Sequence, residues 1–305
     1  MEMPHPEKSV ETKDRVTLLE EMVKRISQQT NLLMKEAFGV ESFLQDDGRL
    51  DTEKYMERAH LSRSEYGEHL EYIKNCERAF AQKSQFARDN KAQIDAGQVG
   101  RKELKEKWEE EERNSAGKQM ELLTMALFHK FFSEDFIVVR SSTYDDYKNK
   151  MDLLLINKET GAVICAFDDF TGDKEGRAAK KKGASINDIV RSGGASLRYG
   201  FCVTKEEGGR KKLTEKELTH LPIFQMQTSA KEFQQLFMSL VLNPNKKPTG
   251  REVEIMKEII KQMQKQCEEF ENISPNDEVS ENINLAWDSF NQMEVMVGRL
   301  KVGGG

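Results

Sequence analysis

The sequence predicts an α/β (α+β) fold with a mixed central sheet flanked by helices, extended by helical arms at both ends. Apolar runs of strand length are concentrated in the middle of the 305 residues. The flanking stretches are strongly charged, and their apolar residues recur at helical spacing. Charged residues make up 33% of the chain and apolar residues 37%, which is typical of long solvated helices. We therefore divide the chain into an N-terminal helical arm (1–114), an α/β core (115–243) and C-terminal helices (244–305).

The N-terminal arm is expected to be helical. Apolar residues at helical spacing over about 14–38 predict one amphipathic helix that ends at Gly39. A second helical stretch opens near residue 51 or 52 and runs to about 113 as two to four helices, with an interruption near 97–100. The apolar stripe of this arm can pack on itself, on the core or on a second copy of the chain, so a homo-oligomer formed through the helical arms stays open.

The core begins with a helix over 117–132 that is apolar on most sides, which indicates burial. The elements expected after it are three strands within 136–170, a basic helix over 173–192, strand candidates at 196–204 and 221–228 with a turn over Glu206–Lys212 between them, and a helix opened by the capping box Ser229–Glu232. The order is helix, three strands, helix, one or two strands, helix.

The C-terminal region is expected to contain two long helices. Pro244 and Pro248 mark a linker, and the spacing of Thr249 and Glu252 predicts a capping box that opens the first helix. The second helix is expected over about 280–301 because its apolar residues recur at helical spacing.

Carboxylates interrupt two neighbouring apolar strands of the core. Asp152 precedes Leu153–Ile156, and Asp168 and Asp169 follow Ala162–Phe167. An ionised carboxylate beside an aliphatic strand is costly unless it is paired or binds a metal ion. These positions therefore predict a site for a divalent cation.

The pairing of the two strands decides which aspartate joins Asp152. With a five-residue connection over Asn157–Gly161, Asp152 opposes Ala166, and Asp168 lies diagonally across on the same face at about 7–8 Å between backbones. A connection one residue shorter places Asp169 on that face instead, because side chains alternate with period two.

Mg²⁺ or Mn²⁺ is the cofactor that such a site predicts. Mg²⁺ takes one or two carboxylates and keeps several waters, so a phosphate oxygen can join it, and the ion can activate water for phosphodiester hydrolysis. The net charge of the chain is −6, yet 11 Lys and Arg residues stand against 4 acidic residues between Lys174 and Lys212. DNA or RNA is therefore the expected partner. Phosphate contacts are expected from Arg177, Lys180, Lys181 and Lys182.

The order helix, three-stranded meander, helix, strand, with an aspartate on the second strand and an acidic residue ending the third, resembles the PD-(D/E)XK nuclease superfamily. Residues 143–169 (TYDDYKNKMDLLLINKETGAVICAFDD) are, more narrowly, similar to nuclease-like proteins of uncultured bacteria, in which an aspartate pair precedes the Asp-bearing strand. The resemblance covers about residues 116–240 and implies a restriction-endonuclease-like core and a metal-dependent nuclease. The metal ligands that it implies are Asp152, Asp168 and, from the first core helix, Glu121, with Asp169 as the alternative to Asp168.

Two positions depart from the motif of that superfamily. Met151 stands where the motif has proline, and Phe170 stands two residues after Asp168, where the motif has lysine. The family's lysine is expected to position the attacking water and to stabilise charge in the transition state. Some members supply it from the following helix, and Lys174 or Lys181 would act in this way here. If neither reaches the site, a catalytically inactive module that binds nucleic acid or protein is expected.

Other classes of function are disfavoured. The four cysteines share no metal-ligand spacing, so a zinc site or a disulfide framework is not expected. No apolar run approaches the roughly 20 residues of a membrane span, and the N-terminus is polar, so a soluble, cytoplasmic protein without membrane contact is expected. Asp145 and Asp146 favour a turn, although they lie close to the Asp152 strand. The remaining alternative is a structural protein whose long charged helices form an oligomer.

Overall fold

The fold is mixed α/β. The computed structural model describes residues 12–60, 62–173, 176–206, 208–242 and 247–300. The helices of these residues are α1 (Thr12–Phe38), α2 (Thr52–Ala59), α3 (Arg63–Lys83), α4 (Gln85–Asp89), α5 (Lys91–Asp95), α6 (Arg101–Arg113), α7 (Ala116–Phe132), α8 (Thr143–Asn149), α9 (Arg177–Arg191), α10 (Ala230–Leu242), α11 (Gly250–Glu271) and α12 (Asp277–Arg299). The strands are β1 (Phe136–Arg140), β2 (Leu153–Asn157), β3 (Val163–Thr171), β4 (Ala195–Leu197), β5 (Phe201–Lys205), β6 (Lys211–Glu215), β7 (Leu218–Leu221) and β8 (Ile223–Thr228). None of these helices has the length and apolar composition that a membrane span requires.

A four-stranded mixed sheet forms the centre of the fold, in the order β1-β2-β3-β8. β1, β2 and β3 pair antiparallel, whereas β8 runs parallel to β3. Helices α7, α9, α11 and α12 pack on this sheet, which is why its strands consist almost entirely of buried apolar residues. Ring contacts fix two of these helices, since Phe167 lies 5.5 Å from Phe128 of α7 and Phe224 lies 5.1 Å from Phe290 of α12.

The register of β2 against β3 differs from the predicted one. Leu153 pairs with Phe167, so the expectation that Asp152 opposes Ala166 is wrong. The connection is one residue longer than predicted, since Ile156 pairs with Val163 and not with Ala162, and an irregularity between Leu155 and Ile156 shifts the register by one more residue. Asp152 precedes Leu153 and Asp168 follows Phe167, so the two aspartates are opposite each other across the strand pair. They are therefore closer together than in the predicted diagonal arrangement.

The region between α9 and α10 contains more strands than expected. Five strands follow α9, of which only β8 joins the central sheet, while β4 pairs with β7 and β5 with β6. The predicted strand over 196–204 is divided at Gly200, where a Cβ atom would stand 2.7 Å from the carbonyl oxygen of Lys216. The predicted turn is shorter than expected, because Lys211 and Lys212 already belong to β6.

The short helix α8 between β1 and β2 was not predicted. The Ser142 hydroxyl accepts a hydrogen bond from the amide of Asp145 at 2.9 Å and thereby caps its first turn. Lys150 ends it in the left-handed conformation, with φ of 57°. Asp145 and Asp146 therefore lie on a helix and not in a simple turn.

The N-terminal arm packs against the core. The helix expected over about 14–38 is confirmed as α1, and the interruption near 97–100 separates α5 from α6. The region after residue 51 contains five helices in place of two to four, because Ser84 and Asn90 delimit the single-turn helices α4 and α5. Helix α3 is anchored on the core by the ring of His69, which lies 4.1 Å from the ring of Tyr144 and 2.8 Å from the hydroxyl of Tyr199.

The C-terminal helices complete the same hydrophobic core. Buried side chains of α11 and α12, such as Met263 and Met293, belong to one cluster with the strands and with α1. Lys130 of α7 makes a buried ion pair with Glu252 at 2.8 Å. Both predicted capping boxes are present, at Ser229–Glu232 and at Thr249–Glu252. Of the predicted linker, Pro244 lies outside the described residues.

Candidate metal centre

Four carboxylates from four different elements meet beside the central sheet. Asp152 immediately precedes β2, Asp168 lies on β3, Glu121 on α7 and Asp146 on α8. One oxygen from each of Glu121, Asp146 and Asp152 lies within 4.8 Å of the other two. Asp168 lies opposite Asp152 across the strand pair, because the register pairs the adjacent residues Leu153 and Phe167. The fold thus brings together Asp152, Asp168 and Glu121, which the sequence analysis proposed as metal ligands, and adds Asp146.

Backbone contacts between the strands orient Asp152. Its amide donates to the carbonyl of Phe167 at 2.9 Å, and its Oδ2 accepts from the amide of Asp169 at 2.7 Å. Its carbonyl in turn accepts from the amide of Ser141 at 3.0 Å. These contacts fix the Asp152 side chain through one carboxylate oxygen, Oδ2.

Lys182 is the cation that contacts the strand aspartates. Its Nζ lies 2.6 Å from Oδ1 of Asp168 and also donates to the main-chain carbonyl of Asp169. Sequence reasoning gave this lysine only a phosphate contact and expected Lys174 or Lys181 at the carboxylates. Lys181 is exposed, one position and about 100° away on the same helix. Lys174 lies outside the described residues.

Glu121 is surrounded by cationic side chains. Its Oε2 accepts from Nη2 of Arg140 at 2.7 Å and from Nε of the same guanidinium at 3.0 Å. Nζ of Lys118 lies 3.4 Å and Nη2 of Arg49 lies 3.7 Å from that oxygen. Burial raises the pKa of Glu121 to about 7, although the charges of Lys118 and Arg49 act in the opposite direction.

Asp146 is held by Arg49, a residue that sequence reasoning did not single out. Nη2 of Arg49 lies 2.6 Å from Oδ2 of Asp146, and Nη1 donates to the carbonyl of Ser141 at 3.1 Å. The two residues are 97 positions apart, so no local pattern could connect them. Asp146 did carry a signal, namely its place in the aspartate pair just before the Asp152 strand.

The loop before α2 carries Arg49 to the site by pairing with the edge of β1. The amide of Arg140 donates to the carbonyl of Gly48 at 2.9 Å, and the amide of Leu50 donates to the carbonyl of Arg140 at 3.2 Å. Gly48 has φ of 84°, and a Cβ atom there would stand 2.5 Å from the sulfur of Met125. Glycine is therefore required at this position for the loop to lie on α7 and β1.

Asp145 is a structural residue. Its carboxylate accepts hydrogen bonds from the Ser142 hydroxyl, the Asn149 amide and the main-chain amides of Arg198 and Tyr199. The amides of Arg198 and Tyr199 thereby join α8 to the segment after β4. Burial nevertheless raises the pKa of Asp145, and the hydrogen bonds reduce the rise.

Asp169, the predicted alternative to Asp168, occupies a different environment. Both of its carboxylate oxygens are buried without a hydrogen-bond partner among the described residues, as is the hydroxyl oxygen of Thr124. Burial raises the pKa of Asp169 to about 8, while the charge of Lys182 opposes the rise. A buried carboxylate without partners is rare in folded proteins and indicates a proton or a cation as its missing partner.

The carboxylates of the group destabilise one another's charged forms. Burial raises the pKa of Asp152 well above its usual value, and the charges of Glu121, Asp146, Asp168 and Asp169 raise it further. Burial also raises the pKa of Asp168, although Lys182 and Asp152 lower it. Hard carboxylate oxygens are the donors that Mg²⁺ and Mn²⁺ prefer, and a divalent cation would relieve this repulsion. The residues present therefore fit such an ion.

A cleft of about 600 Å³ opens in front of these carboxylates. Its inner wall is the sheet with α7, α8 and α9, and its outer wall is formed by α3, α4 and α6 of the N-terminal arm. The residues that line it are Phe80, Lys83, Ser84, Gln85, Arg88, Trp108, Glu111, Glu112, Ser115, Gly117, Lys118, Glu121, Asp146, Tyr147, Asp152, Asp168, Asp169 and Lys182.

The other predicted phosphate contacts lie on the surface of α9. Arg177, Lys180 and Lys181 are exposed in the first turns of this helix, whereas Lys182 is half-buried and faces the site. The basic face therefore begins directly beside the cleft.

A search of protein-family models, curated proteins and solved structures finds no match to the chain.

Proposed function

We propose that this protein is a metal-dependent nuclease with a restriction-endonuclease-like core, which hydrolyses phosphodiester bonds of nucleic acid. The observation that carries the proposal is the convergence of Asp152, Asp168, Asp146 and Glu121 in one cleft with Lys182 in contact with Asp168. The order of α7, the antiparallel strands β1 to β3, α9 and the later strand β8 supports it, because the resemblance to the PD-(D/E)XK superfamily rests on the order helix, three-stranded meander, helix, strand.

Asp152 and Asp168 would hold Mg²⁺ or Mn²⁺, with Asp146 and Glu121 completing the acidic wall. When bound, such an ion lowers the pKa of a bound water and neutralises charge that develops on the phosphoryl group. The buried carboxyl group of Asp169 lies behind Asp168, and because its pKa is raised to about 8 it is mainly protonated near pH 7 without the ion, so it would add negative potential only when a bound cation lowers that pKa.

Lys182 would replace the lysine that the superfamily motif places two residues after Asp168. Its ammonium group can donate a hydrogen bond to an attacking water or to a phosphate oxygen in the cleft. The contact with Asp168 directs the ammonium group of Lys182 towards the carboxylates. Arg177, Lys180 and Lys181 would bind the phosphates of the flanking backbone without reading sequence.

Cleavage of labelled DNA and RNA in Mg²⁺, in Mn²⁺ and in a chelator tests the proposal. We expect cleavage in either metal and none in the chelator. Asp152→Asn should reduce the rate by about 10²-fold or more, because it removes a charged ligand. Asp188→Asn is the matched control, since Asp188 is an exposed aspartate of α9 whose side chain pairs with Arg191. Equal rates for wild type and Asp152→Asn would exclude the nuclease mechanism.

A catalytically inactive module that binds nucleic acid is the second candidate. It is favoured by the ion pairs of Arg140 with Glu121 and of Arg49 with Asp146, which already neutralise part of the acidic group. Salt-sensitive binding of nucleic acid, with no turnover in any metal, would select this candidate. A homo-oligomer through the helical arms stays a prediction, which sedimentation velocity tests.

A further inference from the structure

The arm contributes an aromatic wall to the cleft. The ring of Phe80 on α3 lies 5.3 Å from the ring of Tyr147 and 6.2 Å from that of Trp108 on α6. All three side chains line the same cleft as the carboxylates. Phe80 is 42% exposed, which is unusual for a large apolar side chain inside a cleft. An exposed ring in this position is suited to stacking against a planar ligand.

Two cations of the same wall lack carboxylate partners. Lys83 and Arg88 are exposed, and among the described residues neither makes an ion pair. Among the described residues, the guanidinium of Arg88 donates to the Gln85 side chain at 2.8 Å and to the carbonyl of Lys83 at 2.5 Å. Both of these acceptors are neutral. Cations without carboxylate partners beside an exposed aromatic ring are a combination that binds single-stranded nucleic acid.

The wall is fixed in place on both sides. The carboxylate of Glu111 on α6 accepts hydrogen bonds from the amides of Gln85 and Phe86, at 2.9 and 2.6 Å, and so joins α6 to the start of α4. On the core side, the ring of Tyr72 on α3 lies 5.5 Å from the ring of Tyr144. The cleft is therefore a formed groove whose width the arm defines.

We propose that the cleft binds a single-stranded polynucleotide and excludes an intact duplex. A base stacks on the exposed ring of Phe80, to which the ring of Tyr147 stands nearly perpendicular, and the adjoining phosphates lie between Arg88 and the carboxylates. A volume of about 600 Å³ is that of a site for one small ligand, which suits one or two unpaired nucleotides. A duplex is rigid and keeps its bases stacked inside, so it can offer neither a ring to Phe80 nor a strand narrow enough for the cleft. This substrate class rests on the proposed nuclease function.

Binding of fluorescent oligonucleotides to the full chain tests the substrate class. The oligonucleotides are single-stranded DNA, single-stranded RNA of the same sequence and the blunt DNA duplex, each in chelator and in Ca²⁺. We expect at least one single strand to bind tenfold more tightly than the duplex. Trp108 serves as a second reporter in a Trp287→Phe background, where its fluorescence should change on binding of a single strand.

Matched variants locate the contact. Phe80→Ala should weaken binding of the single strand by about 5- to 150-fold, the range measured for loss of one stacked base, and Phe80→Trp should restore it. Leu285→Ala is the control, because Leu285 on α12 is similarly exposed at 43% and does not line the cleft. Arg88→Gln should reduce the slope of log K against log salt concentration by about 0.7, as expected for one phosphate contact.

The outcomes separate this inference from the nuclease proposal. Equal binding of duplex and single strand, or equal effects of Phe80→Ala and Leu285→Ala, would overturn the inference even if metal-dependent cleavage occurs. Selective binding of the single strand without cleavage in any metal would support the inference and exclude the nuclease mechanism. A protein that binds none of the three oligonucleotides would contradict both.

Discussion

Nζ of Lys182 lies 2.6 Å from Oδ1 of Asp168, although the two residues belong to different elements, helix α9 and strand β3. The ammonium group also lies 6.0 Å from the ring centre of Phe170, the residue at the position where the superfamily motif has lysine. Helix α9 therefore supplies the cation beside this strand, although the strand itself has no lysine at the motif position. We assign to Lys182 the stabilisation of charge on the substrate.

Loss of this charge should slow cleavage without unfolding the protein. We expect Lys182→Met to reduce kcat by about 10²- to 10³-fold, which is typical when one preorganised electrostatic donor is removed. Lys182→Arg should retain part of the activity because the charge is kept. The neighbouring Lys181→Met, on the exposed side of α9, should change kcat by less than about threefold. Equal kinetics for Lys182→Met and Lys181→Met would show that Lys182 has no part in the reaction.

The cluster of buried carboxylates around Asp152 should reduce the stability of the metal-free protein. Because burial and neighbouring charges raise the pKa of Asp152, its ionised form is destabilised in the folded state. Asp152→Asn should therefore raise Tm in chelator by about 2–4 °C, equivalent to roughly 1 kcal/mol. Mg²⁺ should raise Tm of the wild type and have little effect on the variant. A scanning calorimeter measures both, and a lower Tm of Asp152→Asn in chelator would contradict this account of the site.

Arg49 should be required for stability mainly when metal is absent. Arg49→Gln leaves Asp146 and Glu121 with less compensating charge, and loss of one partner from a buried ion pair commonly destabilises a protein by about 3–5 kcal/mol. Added Mg²⁺ should restore part of this loss, because a divalent cation compensates the same carboxylates. Urea unfolding with and without Mg²⁺ measures the effect. Arg251→Gln, which alters an exposed arginine of α11, is the control and should shift the midpoint little.

The pair of Lys130 and Glu252 should stabilise the attachment of the C-terminal helices independently of the metal centre. Lys130→Met leaves the buried carboxylate of Glu252 without its cation and should destabilise the protein by about 3 kcal/mol. The additional change Glu252→Gln removes that charge and should recover part of the loss. A double-mutant cycle in urea gives the coupling energy. Additive effects of the two changes would show that the pair is not coupled.

The sequence predicted the aspartates better than it predicted their partners. Side chains on strands alternate with period two, and Asp152 and Asp168 share a face as predicted only because two register errors cancel: the connection is one residue longer than predicted, and the irregularity between Leu155 and Ile156 adds a second one-residue shift. The choice between Lys181 and Lys182 depends on where α9 begins and how it is rotated against the sheet. Each position turns the helix by about 100°, and no pattern fixed that phase to one residue.

Tertiary contacts over long distances in sequence could not be predicted. Arg49 reaches Asp146 only because its loop pairs with the edge of β1, and the aromatic wall forms only because α3 packs on α8. The helix α8 did carry a local signal. Ser142 stands three residues before Asp145, which is the spacing of an N-cap residue and the residue whose amide it accepts.

A crystal structure of the full chain grown with Mn²⁺, with anomalous scattering measured to locate the ion, tests whether the carboxylates of the cleft bind a divalent cation. We expect a Mn²⁺ peak among Asp152, Asp168 and their neighbours, with carboxylate oxygens at about 2.2 Å, and no peak there in the Asp152→Asn variant. A wild-type crystal at saturating Mn²⁺ that shows no ion at these carboxylates, with Lys182 and Arg49 still paired to them, would rule out the proposed metal site.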